Sequence, residues 1–170
     1  MESTIDSAGI QQYLTFRVAG EEYALGILEV REIIEFSSST RVPGTPPWIR
    51  GVINLRGRVV PVIDLSVRFG LGATEVTQWT CAVIVEIRSN GDATVMGVLA
   101  DAVSEVLEID AAQIEPPPSF GTVARAEYLV GVARAQGRLV LVLDSSCLLT
   151  PDEVGALPQA AEPAMAAAAG

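Results

Sequence analysis

Apolar and polar residues alternate along several short segments of this chain with a period of two, which is typical of half-buried β-strands. Residues 13–18 alternate in this way, residues 19–22 have the composition of a turn, and residues 23–25 begin a return strand. Residues 81–87 and 95–99 repeat the arrangement around an Asn-Gly step, which favours the positive φ angles of a tight hairpin. The pattern therefore predicts a mainly β protein that is built from hairpins.

The chain also contains an internal repeat, in which residues 48–64 recur as residues 128–144 at a spacing of 80. An aromatic residue, a Gly-Val pair, a Gly-Arg pair, alternating valines and an aspartate occupy the same relative positions in both copies. Each copy predicts a hairpin that turns at a glycine, Gly57 or Gly137, because glycine adopts the positive φ that such a turn needs.

A second similarity relates residues 30–33 to residues 103–106 at a spacing of 73. Together the two similarities indicate that the chain contains two related lobes. We expect the first lobe at about residues 13–70 and the second at about residues 79–150.

Short helices are predicted after both repeated hairpins, because Asp64 and Asp144 can each accept a hydrogen bond as a helix N-cap. Residues 1–10 form no apolar run and are expected to be flexible. Residues 158–170 are mostly alanine with two prolines, a composition that predicts a disordered tail.

The balance of charged residues argues against several kinds of catalysis. The chain has 21 acidic and 11 basic residues, a net charge of −10, and no histidine. Every basic residue is an arginine, so a P-loop lysine, a Schiff-base lysine, a Ser-His-Asp triad and the histidine ligands that zinc enzymes usually need are all missing. The acidic excess also argues against nucleic-acid binding. We expect no catalytic residue, no metal site and no cofactor.

Cys81 and Cys147 lie in apolar sequence and are predicted to be buried, reduced thiols, with a single disulfide between them as the alternative. The N-terminal residues have no signal-peptide pattern, and no apolar run approaches the length of a membrane span. We therefore expect a cytoplasmic protein that does not insert into the membrane.

Six elements occur along the chain in a fixed order, and together they form a specific pattern. They are residues 30–33, 51–57, 60–65, 98–107 and 127–131, and Asp144. In composition and order they resemble the signature elements of CheW-type chemotaxis coupling proteins, with Asn-Leu-Arg-Gly at residues 54–57 as the most characteristic part. The resemblance covers about residues 11–155 and implies a single CheW-like domain there, which contains both lobes.

The resemblance implies two SH3-like, five-stranded β-barrel lobes that pack together around a shared apolar groove, with short helices. It also implies a non-enzymatic adaptor. Such an adaptor couples the cytoplasmic tips of methyl-accepting chemoreceptors to the regulatory domain of the histidine kinase CheA. Other CheW-like domains are further expected partners, in the rings of the signalling array.

The resemblance also places the receptor contacts on particular residues of the first half of the chain and on one strand of the second. The expected receptor-binding residues are Val30, Glu32, Ile33, Ile53, Arg56 and Val98. Glu32 would share a strand face with apolar residues, where a carboxylate needs a partner, so we expect a bidentate pair with Arg56. The four aliphatic residues would line a groove for a receptor helix, and core packing is the alternative role for each.

Phe36 and Phe120 are the expected kinase contacts, because both aromatic residues lie beside turn-like sequence. A role as lids over the core is the alternative. The family pattern has a basic residue where this chain has Glu115, which implies a kinase partner of altered charge.

Two other functions fit parts of the same pattern. The chain could be a CheW-like regulatory module from a kinase or from a CheW-receiver fusion, although no linker into a kinase domain is present in it. A small enzyme or ligand-binding β-barrel would need a concave pocket with convergent polar groups, and nothing in the sequence indicates one.

Overall fold

The computed structural model of the chain describes residues 9–89, 91–116, 128–149 and Glu153. These residues form eleven β-strands, one short α-helix and three single-turn 3₁₀ helices. The strands are β1 (Ile10–Val18), β2 (Glu21–Gly26), β3 (Val30–Glu35), β4 (Ile49–Leu55), β5 (Arg58–Ile63), β6 (Cys81–Ser89), β7 (Asp92–Ala100), β8 (Ala102–Asp110), β9 (Ile114–Glu115), β10 (Leu129–Ala135) and β11 (Arg138–Leu143). The helices are α1 (Leu65–Arg68) and the 3₁₀ turns Ile27–Glu29, Ala111–Gln113 and Ser145–Cys147.

The strands form two open sheets that share one topology. The first sheet has the order β3-β6-β7-β5-β4, and the second has the order β8-β1-β2-β11-β10-β9. In each sheet one parallel pairing, β5 with β7 or β11 with β2, joins two antiparallel parts. The mainly β, two-lobed architecture is thus confirmed. It differs from the expected pair of five-stranded barrels in two ways: both sheets are open, and β9 is a sixth strand in the second sheet.

Neither sheet is a contiguous half of the chain, which differs from the predicted lobes at about 13–70 and 79–150. The β1–β2 hairpin belongs to the second sheet, and the β6–β7 hairpin belongs to the first. Each repeat copy therefore gives its leading hairpin to the sheet of the other copy. A sequence repeat reports local similarity, whereas the sheet in which a hairpin pairs depends on tertiary packing.

Apolar side chains form three clusters, one between the sheets and one within each lobe. The cluster between the sheets contains residues of both, among them Leu14, Phe16, Leu25, Ile63, Val83, Val85 and Val98. The cluster of the second lobe includes Leu107, Ile109, Val140 and Val142, and that of the first lobe includes Phe36, Val60, Val62, Ile84 and Leu99. Strands such as β6 are therefore buried on both faces.

Three of the hairpins turn through two residues that both have positive φ. The pairs are Ala19-Gly20 (52° and 86°), Arg56-Gly57 (53° and 87°) and Gln136-Gly137 (52° and 78°). This conformation matches the twist of the flanking strands, and the glycine removes the strain at the second position. The prediction of positive φ at Gly57 and Gly137 is confirmed.

The two predicted helix caps are also present. Asp64 accepts a hydrogen bond from the backbone N–H of Ser66 at the start of α1, and Asp144 accepts one from Ser146. Asp64 is almost completely buried and binds Arg50 and Thr74 as well. These contacts assign both carboxylates a structural role.

Cys81 and Cys147 are not bonded to each other, as predicted. Their predicted burial holds only in part, because Cys81 is half-buried and Cys147 is exposed. Within the described ranges, no helix is long and apolar enough to cross a membrane.

Candidate functional site

The candidate site lies where the two edges of the first sheet approach each other. Strands β3 and β4 are the outermost strands of this sheet. Glu32 is in β3, and Arg56 is in the turn that follows β4. Their side chains form an ion pair, so one charged contact links the two edges.

The ion pair is bidentate, as expected from the sequence. Arg56 Nη1 donates to Glu32 Oε1 at 3.1 Å, and Arg56 Nη2 donates to Glu32 Oε2. The hydrogen bond from Arg56 holds the pKa of the Glu32 carboxyl below its usual value. Glu32 is 29% exposed and Arg56 is 71% exposed, so water screens the pair. The geometry therefore fixes the orientation of two charges at the surface rather than stabilising a buried site.

The backbone of the turn sets the position of Arg56. Its φ of 53° lies in the left-handed region, which a residue with a side chain seldom adopts. The Asn54 side-chain oxygen accepts a hydrogen bond from the Gly57 N–H at 2.7 Å, which closes the turn. The turn therefore sets where the Arg56 side chain begins, and the contact with Glu32 sets where its guanidinium lies.

The second repeat copy provides an internal comparison. Gln136 occupies the place of Arg56 and has the same left-handed φ. Glu105, the counterpart of Glu32, pairs instead with Arg138 at 2.7 Å, and Arg138 also bonds Glu22. The hairpin thus forms without an arginine in its turn, so turn geometry does not explain Arg56.

A shallow depression of about 250 Å³ adjoins the ion pair. Its rim is formed by the charged residues Arg31, Glu32, Arg56 and Arg58. Its floor is formed by the apolar residues Leu55, Val60, Ile84 and Val95. We call this feature the arginine-rimmed depression. Sequence analysis missed Arg31 and Arg58, although the spacing of Arg56 and Arg58 around one glycine was an available signal.

The aliphatic candidates differ in their exposure. Ile33 is 41% exposed, and Val30 and Ile53 are half-buried against the core. Val98 is completely buried in the cluster between the sheets. The expected contact between Val98 and a receptor is therefore corrected to a core role, because β7 is covered on both faces and the Val98 side chain is not exposed.

The predicted kinase contacts receive a similar correction. Phe36 is 4% exposed and packs in the core of the first lobe, so it is a core residue and not an exposed anchor. Phe120 lies outside the described residues. Glu115 is exposed at the end of β9, beside Val132 of β10.

The remaining acidic and cysteine side chains were candidates for other roles, and the structure shows their arrangement in the part of the chain that it describes. No group of three or more Cys, Asp or Glu side chains there could hold a metal ion. Asp101 accepts a hydrogen bond from the backbone N–H of Ala19 at 3.0 Å, which gives it a structural role.

Comparisons with known proteins identify the family of this chain. A family model described as CheW-like domain matches residues 12–153. The chain is 36% identical to a chemotaxis protein CheW of Klebsiella aerogenes over 152 residues, which are 89% of each chain. It is 32% identical to a chemotaxis protein CheW of Rhizobium meliloti, across 85% of this chain and 91% of the relative.

A solved structure shows the same fold. It is the crystal structure of the scaffolding protein TtCheW from Thermoanaerobacter tengcongensis, which matches with a TM-score of 0.73 and 36% identity. The match covers 84% of this chain and 89% of that one. The chain described here therefore belongs to the family of CheW-like domain proteins.

Proposed function

We propose that this chain is a cytoplasmic adaptor that couples chemoreceptor tips to the histidine kinase CheA in signalling arrays. Its family and its relatives support the broader assignment as a non-enzymatic scaffold protein of chemotaxis. The finer assignment, to receptor and kinase, is our own, and it rests on the surface around the Glu32–Arg56 pair.

The observation that carries the proposal is the contrast between Arg56 and Gln136. Both residues occupy the same strained turn position, but only Arg56 presents an exposed guanidinium that a carboxylate holds in place. A preoriented charge costs a partner less conformational entropy when it binds. The scaffold does not need this charge, so a partner accounts for it best.

We assign the aliphatic residues Val30, Ile33 and Ile53 of β3 and β4 to the apolar part of the receptor contact. Ile33 is exposed, while Val30 and Ile53 are partly covered. An amphipathic helix binds such a surface with apolar residues at helical spacing. We assign the receptor tip to this surface, with Glu32 and Arg56 as the polar contacts. Val98 supports it indirectly, through the core.

For the kinase contact we retain Phe120 as a candidate, whereas Phe36 is a core residue of the first lobe. The CheA regulatory domain and other CheW-like domains remain the proposed partners. Weak individual contacts would suffice in an array, because many linked contacts strengthen one another.

The proposal is tested by co-sedimentation of the protein with chemoreceptor-bearing membranes, with and without CheA. We expect the wild type to sediment in a receptor-dependent manner and to recruit the kinase. Arg56→Ala should bind receptors about tenfold or more weakly, in the range of an interface hot spot. Gln136→Ala is the matched control, since it changes the equivalent turn of the second copy, and it should bind like the wild type.

Two results would contradict the proposal. One is a wild type that sediments with no receptor and recruits no kinase. The other is an Arg56→Ala protein, folded by circular dichroism, that binds receptors as well as the wild type does.

A further inference from the structure

Arginine side chains are concentrated around the depression next to the ion pair. Arg31, Arg56 and Arg58 lie on its rim, and Arg88 lies near Arg31 through a shared contact with Glu86. The only carboxylates in this group are Glu32 and Glu86. The group therefore has two more positive than negative charges, in a chain whose net charge is −10.

Arg58 is the residue of this group that the fold leaves unused. It is exposed at the start of β5, and no described residue forms an ion pair or a hydrogen bond with its side chain. Its counterpart Arg138 shows the contrast, because Arg138 bonds two carboxylates, Glu22 and Glu105. The same position thus serves the fold in the second lobe and has no such role in the first.

Both carboxylates of this group already have arginine partners within the molecule. Glu32 is occupied by Arg56, and Glu86 is occupied by Arg31 and Arg88. An external carboxylate at the rim would therefore meet an unpaired guanidinium and a local positive excess. Close oppositely charged pairs across an interface raise both affinity and association rate.

We propose that the arginine-rimmed depression docks an acidic, amphipathic helical segment of the partner, with Arg58 binding one of its carboxylates. An aliphatic side chain of the same segment rests on the half-buried Leu55 and Val95 of the floor. The inference rests on the proposed function, because the segment is assigned to the chemoreceptor tip. It adds the chemistry by which that tip is recognised: a Glu or Asp one helical turn from an aliphatic anchor.

The positive charge of the rim favours an acidic occupant. The depression is shallow and open, so it suits side chains of a larger partner better than a small molecule. Arginine binds carboxylates in a planar, bidentate geometry, which gives directional recognition.

The experiment measures binding to purified receptor cytoplasmic fragments at low and high salt. The variants are Arg58→Gln, Arg58→Glu and the control Arg134→Glu, which makes the same charge reversal at an exposed site in the second sheet. We expect Arg58→Glu to bind about tenfold more weakly and Arg58→Gln about threefold more weakly at low salt. Both losses should shrink at high salt, because ions screen an exposed pair. Arg134→Glu should match the wild type.

A compensating charge reversal in the receptor identifies the residue that Arg58 contacts. Each Glu and Asp of the receptor tip is changed to Arg in turn, and one such change should restore the binding of Arg58→Glu. The inference is overturned if Arg58→Glu binds like Arg134→Glu, or if no receptor change restores its binding. It is also overturned if Arg58→Glu alters only self-association, which would assign the depression to a second copy of this chain. If Arg56→Ala loses receptor binding but Arg58→Glu binds as well as the wild type, this inference alone is overturned. If the wild type itself does not bind receptors, the proposed function is overturned.

Discussion

Asp64 and Asp144 occupy equivalent positions of the repeat, so replacing each by alanine isolates the effect of burial. Asp64 is 1% exposed and accepts four hydrogen bonds. They come from the backbone N–H of Ser66 (3.1 Å), from the N–H and hydroxyl of Thr74 (2.9 and 2.8 Å) and from Arg50 Nη1 (3.2 Å). Asp64 thereby ties β4, the start of α1 and the loop at residue 74 together.

The expected loss follows from the donors that would be left behind. Each buried donor without a partner costs about 1–3 kcal/mol, and breaking a buried ion pair costs about 3–5 kcal/mol. Arg50 keeps its bond to the Thr74 carbonyl at 2.8 Å, which moderates the loss. We therefore expect Asp64→Ala to lower the free energy of unfolding by about 3–5 kcal/mol.

The equivalent change in the second copy should cost much less. Asp144 is half-buried, and its contacts are the N–H and hydroxyl of Ser146 and the thiol of Cys147. Asp144→Ala removes one exposed cap, which is worth about 1 kcal/mol.

Urea unfolding followed by circular dichroism measures both variants, with equal slopes taken as the sign of unchanged denatured states. A loss in Asp64→Ala that is below about 1 kcal/mol, or equal to that of Asp144→Ala, would refute the reasoning from burial.

Three further changes test separate parts of the structure. Val98→Ala should lower the free energy of unfolding by about 1–3 kcal/mol in urea, because it leaves a cavity between the sheets, and receptor binding of the folded variant should stay within about twofold of the wild type. The Glu32 carboxyl should titrate below 4.5 by NMR and return towards that value in Arg56→Ala. Because its folded pKa is lowered, the pair stabilises the fold above the unfolded pKa, and that contribution is lost as the pH falls through the folded pKa. Cys147 should react with a thiol reagent faster than Cys81, because burial raises the pKa of the Cys81 thiol; equal rates would contradict the exposure difference.

The two copies of the internal repeat allow equivalent residues to be compared within one protein. Arg56 and Gln136, Arg58 and Arg138, and Asp64 and Asp144 are pairs with one backbone setting and different partners. Differences within each pair therefore report on side-chain environment and not on strand or turn geometry.

The sequence alone determined the local structure and the family. Alternation and turn residues located the hairpins, glycine positions predicted the left-handed turns, and both N-cap aspartates were correct. The Glu32–Arg56 pair was also foreseeable, because a carboxylate on an apolar strand face needs a nearby cation. Apart from the Glu32–Arg56 pair, which joins residues 24 positions apart, each of these features depends on a few residues and their immediate neighbours.

Tertiary structure decided which sheet each hairpin joined and which apolar residues remained exposed. Strands β6 and β7 are buried on both faces, so apolar character could not separate a core residue such as Val98 from a surface residue such as Ile33. Phe36 was misassigned for the same reason. Among the described residues, Arg58 is unpaired because Glu32 and Glu86, two carboxylates that are distant from it in sequence, form ion pairs with other arginines. Burial and pairing are properties of packed neighbours that are remote in sequence, and only the folded chain brings them together.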